Sequence, residues 1–172
     1  MFNKLFNSEG VEVPERPTLI NDETKETLIK KAVESLYSGK YNPFDEDDRE
    51  SLELSLIKHY SSNCDEYELA KDFERDGWDA CKQFIEDLEV ATSAIEKELK
   101  EAVKEWFETH QPVPPFPMGT RLECHSWGGV EQGEIDGIYE YEPATYRVKM
   151  DNKDPEDTSR RLIKFEHATK ID

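Results

Sequence analysis

The stretch WDACKQFIEDLEVATSAIEKELKEAVKEWFET, Trp78 to Thr109, decides how the rest of the chain is read. Within it Cys81, Ile85, Leu88, Thr92, Ile95, Leu99, Ala102 and Trp106 follow one another at alternating spacings of four and three. Such spacing makes the apolar seam of a helix that packs lengthwise on another, as in a coiled coil. Neither Gly nor Pro interrupts the run, so a single helix of roughly 48 Å is expected. It is a spine for a helical bundle or for a dimer. Its second half, Ile95 to Phe107, would leave Leu99, Val103, Trp106 and Phe107 uncovered. Two covers are open: a second copy meeting along Ile95, Leu99, Ala102 and Trp106, or the C-terminal part of this chain.

Upstream, residues 1–20 read as an extended arm, because Val11 and Val13 alternate with Glu12 and Pro14 and Pro17 follows. Phe2, Leu5 and Phe6 are its means of docking on the spine. Asn21 or Asp22 caps a first helix whose stripe is Leu28, Ile29, Ala32, Val33, Leu36 and Tyr37, ending at Gly39. Asp45-Glu46-Asp47-Asp48 is expected to cap a second, with Leu52, Leu56, Ile57 and Tyr60 inward, broken by Ser61-Ser62-Asn63. A third, from Asp65 to about Asp76, would bury Leu69, Ala70 and Phe73, with Gly77 where a left-handed residue is needed. Loops this short make residues 21–110 an antiparallel, acidic helical bundle.

Downstream, Gln111-Pro112-Val113-Pro114-Pro115-Phe116-Pro117 ends the helix, and residues 111–118 read as a stiff linker. Its overlapping P-x-x-P spacings also suit a proline-recognising module, although a spacer is the simpler reading. Over residues 119–172 the period falls to two. Leu122 and Cys124 mark a first strand, Trp127-Gly128-Gly129 a turn, and Val130 to Tyr141 a long strand bent at Gly133 and Gly137. Tyr146, Val148 and Met150 mark a third strand, Leu162, Ile163 and Phe165 a fourth, and Thr169 to Ile171 a closing one. The fold class expected is therefore α+β in two domains, a helical bundle with one long helix followed by a small antiparallel β-barrel.

Gly119-Thr120-Arg121-Leu122, Gly133-Glu134-Ile135-Asp136-Gly137-Ile138 and Tyr146-Arg147-Val148-Lys149-Met150-Asp151 resemble the strand order and glycine placement of Tudor-like and Src-homology-3-like small barrels. The resemblance covers the last third of the chain. It implies a binding module for a peptide, a nucleic acid or a methylated lysine, and seldom a catalyst.

Charge narrows the choice of partner. The 172 residues carry 40 acidic and 22 basic side chains, a net of −18 with 35% hydrophobic residues, so the chain repels nucleic acid and anionic lipid and suits cationic surfaces. No apolar run approaches a membrane span or a signal peptide, and three scattered cysteines suit a reducing compartment, so the expected location is cytoplasmic. Between Asp45 and Glu89 sixteen residues are acidic and five basic, a net of −11, whereas from Pro112 onward twelve are acidic and eight basic, a net of −4.

The first candidate site is thus an acidic face made by Asp45, Glu46, Asp47, Asp48 and Glu50 with Asp65, Glu66, Glu68, Asp72 and Asp76. Carboxylates in rows on stiff helices can imitate a phosphate track and occupy a DNA-binding cleft, and in composition the chain resembles small acidic proteins of phages and mobile elements that inhibit host nucleases or polymerases; the plain alternative is a solvated helical surface. The second is an aromatic cage of Trp127, Tyr139, Tyr141 and Tyr146, which with Glu140 or Asp136 would hold a cationic group, unless these rings are simply core. The only basic cluster is Arg121, Arg147, Lys149, Arg160, Arg161 and Lys164, and it would serve a barrel adaptor that binds nucleic acid or a peptide.

Neighbours Cys124 and His125 point to opposite faces of a strand and cannot share a metal, His59, Cys64, His110 and His167 match no zinc spacing, and Cys81 belongs to the apolar seam. No catalytic or cofactor motif is present. The expectation is a non-enzymatic interaction protein with no metal and no cofactor, which binds and inhibits a basic, nucleic-acid-binding protein.

Overall fold

The computed structural model describes residues 3–126, 129–152, 154 and 156–171. Its helices are α1 (Asp22–Ser38), α2 (Arg49–His59), α3 (Glu66–Arg75) and the long α4 (Lys82–His110), and they precede a curled five-stranded antiparallel sheet, so the protein is α+β. The chain divides into two compact units, Arg16–Val103 and Met1–Glu15 with Lys104–Asp172. The division falls inside α4 rather than at residues 111–118, and the N-terminal residues belong with the sheet.

In the helical unit, short polar side chains set the helix starts. Asn21 Oδ1 accepts from Thr24 N at 2.9 Å, and Asp65 Oδ1 accepts from Glu68 N at 2.8 Å, each satisfying an otherwise orphaned donor. The cap expected from Asp45 to Asp48 is not made. Neither Asp45 nor Asp48 bonds a backbone N–H with its side chain, and a 3₁₀ turn, Glu46–Asp48, leads into α2 instead. Gly77 has φ +97°, and Gly77 N and Trp78 N donate back to Glu74 O and Phe73 O at 3.0 and 3.2 Å. That pair of bonds closes α3 and turns the chain.

Crossing from α3 to α4 uses residues 76–81, so α4 starts at Lys82 and is 29 residues long, about 44 Å. Cys81, expected in the seam, lies ahead of the helix and is exposed. Its carbonyl accepts from Ile85 N at 3.2 Å. Phe84 and Ala91 join Leu88, Thr92 and Ile95 on the buried side. Leu28, Ile29, Ala32 and Val33 of α1, Leu52 and Leu56 of α2, and Leu69 and Phe73 of α3 are likewise buried.

In the sheet unit, β1 (Arg121–Ser126), β2 (Gly129–Ile138), β3 (Thr145–Met150), β4 (Arg161–Lys164) and β5 (Thr169–Lys170) lie in the order β4-β3-β2-β1-β5. It is a half-barrel: β5 pairs with β1, at the opposite end of the sheet from β4. The register slips between Ile135 and Gly137, leaving Asp136 as the extra residue of a bulge. At Gly133 a Cβ would lie 2.6 Å from Lys149 O and 2.7 Å from Val148 Cγ1, so no larger residue fits without moving the neighbouring strand. Leu122, Cys124, Ile135, Tyr146, Val148 and Phe165 fill the concave side.

The N-terminal segment is not an extended arm. Phe6 pairs with Glu12, Val13 N donates to Leu5 O at 2.9 Å, and Asn7 Oδ1 accepts from Val11 N at 2.9 Å, which folds residues 5–13 into a small hairpin. Leu5 and Val13 enter the sheet unit's core, Phe6 stays exposed, and Phe2 lies outside the described residues. Trp106 is buried in the same core and donates its indole N–H to Pro14 O at 2.8 Å. The proposed oligomer seam is thereby corrected at two of its four residues: Ile95 is enclosed by the helical core and Trp106 by the sheet core, while Leu99 and Ala102 are half-buried. The proline segment is tied down too, since Val113 N donates to Phe6 O at 2.8 Å and Phe116 N to Tyr146 Oη at 2.7 Å.

Candidate acidic groove

Phe44 is buried, and it pins the start of the acidic tract against the helical core with its ring edge-on to Phe84, centroids 6.4 Å apart. Tyr37 holds the same segment, its hydroxyl donating to Asp45 O at 2.9 Å. Opposite this segment the turn after α3 brings in Trp78, whose ring stacks on Phe84 at 5.3 Å and 24° and whose indole N–H donates to Ser55 Oγ at 3.2 Å. The space between is a groove of about 520 Å³. Phe44, Trp78 and Phe84 are its aromatic lining, and Asp45, Asp48, Asp76, Asp79 and Asp87 are its carboxylates.

These carboxylates differ in what already binds them. Asp76 accepts from Lys58 Nζ at 2.6 Å and meets His59 Nε2 at 2.7 Å, and those two hydrogen bonds, Lys58 first, hold its carboxyl below the usual range. Asp87 accepts from Gln83 Nε2 at 3.0 Å. The side chains of Asp45, Asp48 and Asp79 have no ion pair or hydrogen bond among the described residues. Asp47 and Glu50 are exposed near them on the same acidic turn and helix start.

The structure brings Asp45, Asp48 and Asp76 of the sequence-derived acidic face to one groove, leaves Asp47 and Glu50 exposed beside it, and holds the other five in local duties. Glu46 is 3.9 Å from Arg49, Glu68 is 2.9 Å from Lys71, and Asp72 pairs with Arg75. Asp65 is the cap of α3, and Glu66 accepts from the buried Thr92 hydroxyl at 2.9 Å. Asp79, Asp87 and the three rings were not identified from the sequence. The local signals are Phe44 directly before the acidic run and Trp78-Asp79 directly after the turn glycine, but only the fold shows that they meet.

The aromatic cage does not form as expected. Tyr146 is fully buried, its ring 4.5 Å from that of Phe165 and its hydroxyl donating to Phe116 O at 2.9 Å, because strand alternation turns Tyr146, Val148 and Met150 inward. Burial pushes its phenol pKa up, outweighing the opposing backbone bond. Tyr139 and Tyr141 do meet, edge to face at 5.5 Å, and Trp127 lies outside the described residues.

The basic cluster is largely neutralised within the sheet unit. Arg147 and Arg160 both bind Asp136, Arg121 binds Asp151, Arg161 Nη1 is 2.9 Å from Glu131, and Lys164 is 3.9 Å from Glu142. Partial burial works against ionising Asp136, but the two arginines outweigh it and hold its carboxyl below the usual range. Lys149 is exposed.

Cys124 is buried while His125 is exposed 3.1 Å from Glu123, and among the described residues no three His, Cys, Asp or Glu side chains are grouped as metal ligands would be. Among the described residues no helix is long and apolar enough to cross a membrane. No protein family, curated protein or solved structure matches the chain.

Proposed function

We propose that the protein is a non-enzymatic interaction protein whose helical unit binds a basic protein surface, such as the nucleic-acid-binding cleft of an enzyme, and blocks it by occupying the place of phosphates. The observation that carries this reading is the groove: Asp45, Asp48 and Asp79 converge there from segments separated in sequence and have no cation of their own among the described residues. Unpaired carboxylates beside a partly apolar, aromatic lining suit a cationic ligand; because Asp45, Asp48 and Asp79 are exposed, their contribution is charge complementarity, which steers and selects a partner more than it tightens the contact. The excess of acid is also largest here, with a net of −11 from Asp45 to Glu89. In the sheet unit the basic side chains are mostly engaged by neighbouring carboxylates, which weighs against that unit as a reader of nucleic acid.

The test compares the full chain with a variant carrying Asp45→Asn, Asp47→Asn and Asp48→Asn, both immobilised and exposed to a cell lysate. The expected result is recovery of basic nucleic-acid-binding proteins that elute as salt rises and that the variant fails to retain. The chain itself should leave labelled duplex DNA unshifted. Recovery of the same proteins by both versions, or retardation of the duplex by the chain alone, overturns the reading.

A further inference from the structure

Acidity alone does not distinguish arginine from lysine, but the groove has more than acidity. Phe44 and Phe84 are nearly closed to solvent at 9% and 8% exposure, whereas Trp78 is half-buried and lines the groove, so the indole is the ring a ligand meets. Its bond to Ser55 and its stack on Phe84 fix its orientation before any ligand arrives. The same groove is lined by the exposed Asp45 and Asp48 from the segment before α2, and by the exposed Asp79 from the turn before α4.

A guanidinium is planar, weakly hydrated and always charged; it stacks on aromatic faces and donates in a fork to carboxylates. An ammonium is a compact, strongly hydrated charge with no face to stack. We propose that the groove is a docking site for an arginine side chain on a basic segment of the partner protein, its guanidinium on Trp78 and its N–H groups shared among Asp45, Asp48 and Asp79. This rests on the reading that the helical unit engages a basic protein, and it specifies what that unit selects. A volume of about 520 Å³ lies within the roughly 300–1,000 Å³ of ordinary ligand pockets, which is room for an arginine and part of its flanking chain.

The probes are hexa-arginine and hexa-lysine, titrated into the full-length protein by calorimetry, with the indole N–H signals followed by NMR and that of Trp78 assigned from Trp78→Phe. Hexa-arginine is expected to bind about tenfold more tightly than hexa-lysine and to move the Trp78 signal. Asp48→Asn with Asp79→Asn should weaken hexa-arginine about tenfold, while the charge-matched Glu74→Gln with Glu89→Gln, on exposed positions outside the groove, should weaken it less than about threefold. Equal affinities for the two peptides, an unmoved Trp78 signal, or equal losses in the two double variants would overturn the arginine site while leaving a diffuse charge-driven contact intact. If neither peptide binds even at low salt, the charge-driven reading falls with it.

Discussion

The two units use the same kinds of charged side chain to opposite ends. In the sheet unit the pairs that join distant segments include two that are partly enclosed: the Arg160 and Asp136 side chains are 25% and 26% exposed, and those of Arg161 and Glu131 are 30% and 35% exposed, whereas Lys4 and Glu12 form an open pair across the hairpin. In the helical unit most pairs are neighbours three or four residues apart on an open helix surface, as with Lys30 and Glu26 or Lys82 and Glu86. Pairs of that kind contribute only a few tenths of a kcal/mol. Charge in the sheet unit therefore includes pairs that tie distant segments together, while in the helical unit it serves mainly local contacts, such as the Asp65 cap, and leaves Asp45, Asp48 and Asp79 without a pair among the described residues.

If apolar burial rather than charge holds the helical unit, Phe73→Ala should be the most damaging single change. Phe73 is fully buried and its ring lies within 5.4–6.1 Å of those of Trp78, Phe84 and His59, so a loss of about 3–5 kcal/mol in chemical denaturation is expected. A smaller loss would mean that the core relaxes around the cavity and that packing is not what distinguishes the two units. Next in size, Asp136→Asn removes the shared partner of two arginines and should cost about 1–2 kcal/mol, whereas Glu68→Gln, which breaks an exposed pair with Lys71, should leave the denaturation midpoint unchanged within error. Equal costs would erase the contrast.

Asp76 is the intermediate case, an exposed residue whose side chain nonetheless is held by the Lys58 ammonium and by a hydrogen bond to His59 Nε2. Its carboxyl is depressed, so the stability it adds is present above the ordinary carboxylate value of about 3.9 and is lost as pH falls through the depressed one. The gap in melting temperature between the native chain and Asp76→Asn should therefore be steady above about pH 5 and shrink in stronger acid. A gap that widens in acid would contradict the assigned partners.

Much of the fold was legible because its signals are local. Asn21, Asp65 and Gly77 punctuate the helices as short polar side chains and a left-handed residue do elsewhere, and the alternation of Tyr146, Val148 and Met150 marks a half-buried strand. What could not be read depends on contacts far apart in sequence. Cys81 fits the heptad spacing, but the turn at Gly77 lets Trp78 pack on the core and delays the helix until Lys82. The hairpin at residues 5–13 closes on Trp106 through Pro14, a partner 92 positions away. The groove joins residues 43–48 to residues 76–87, so a scan for acidic runs finds one wall and overlooks Asp79 and Asp87 on the other. The cage failed for a simpler reason: the largest ring on an inward-facing strand position is needed to fill the sheet's concave side.

The displacement of Cys81 from the helix has a practical side. Its thiol stands exposed at the rim of the groove, whereas Cys124 is buried and the Cys64 thiol is pushed up by burial and by nearby Asp65. A maleimide dye at neutral pH should therefore react first at Cys81. A fluorophore tethered there sits beside the Trp78 face, and its emission becomes a gauge of whatever enters, in a chain with no engineered residue.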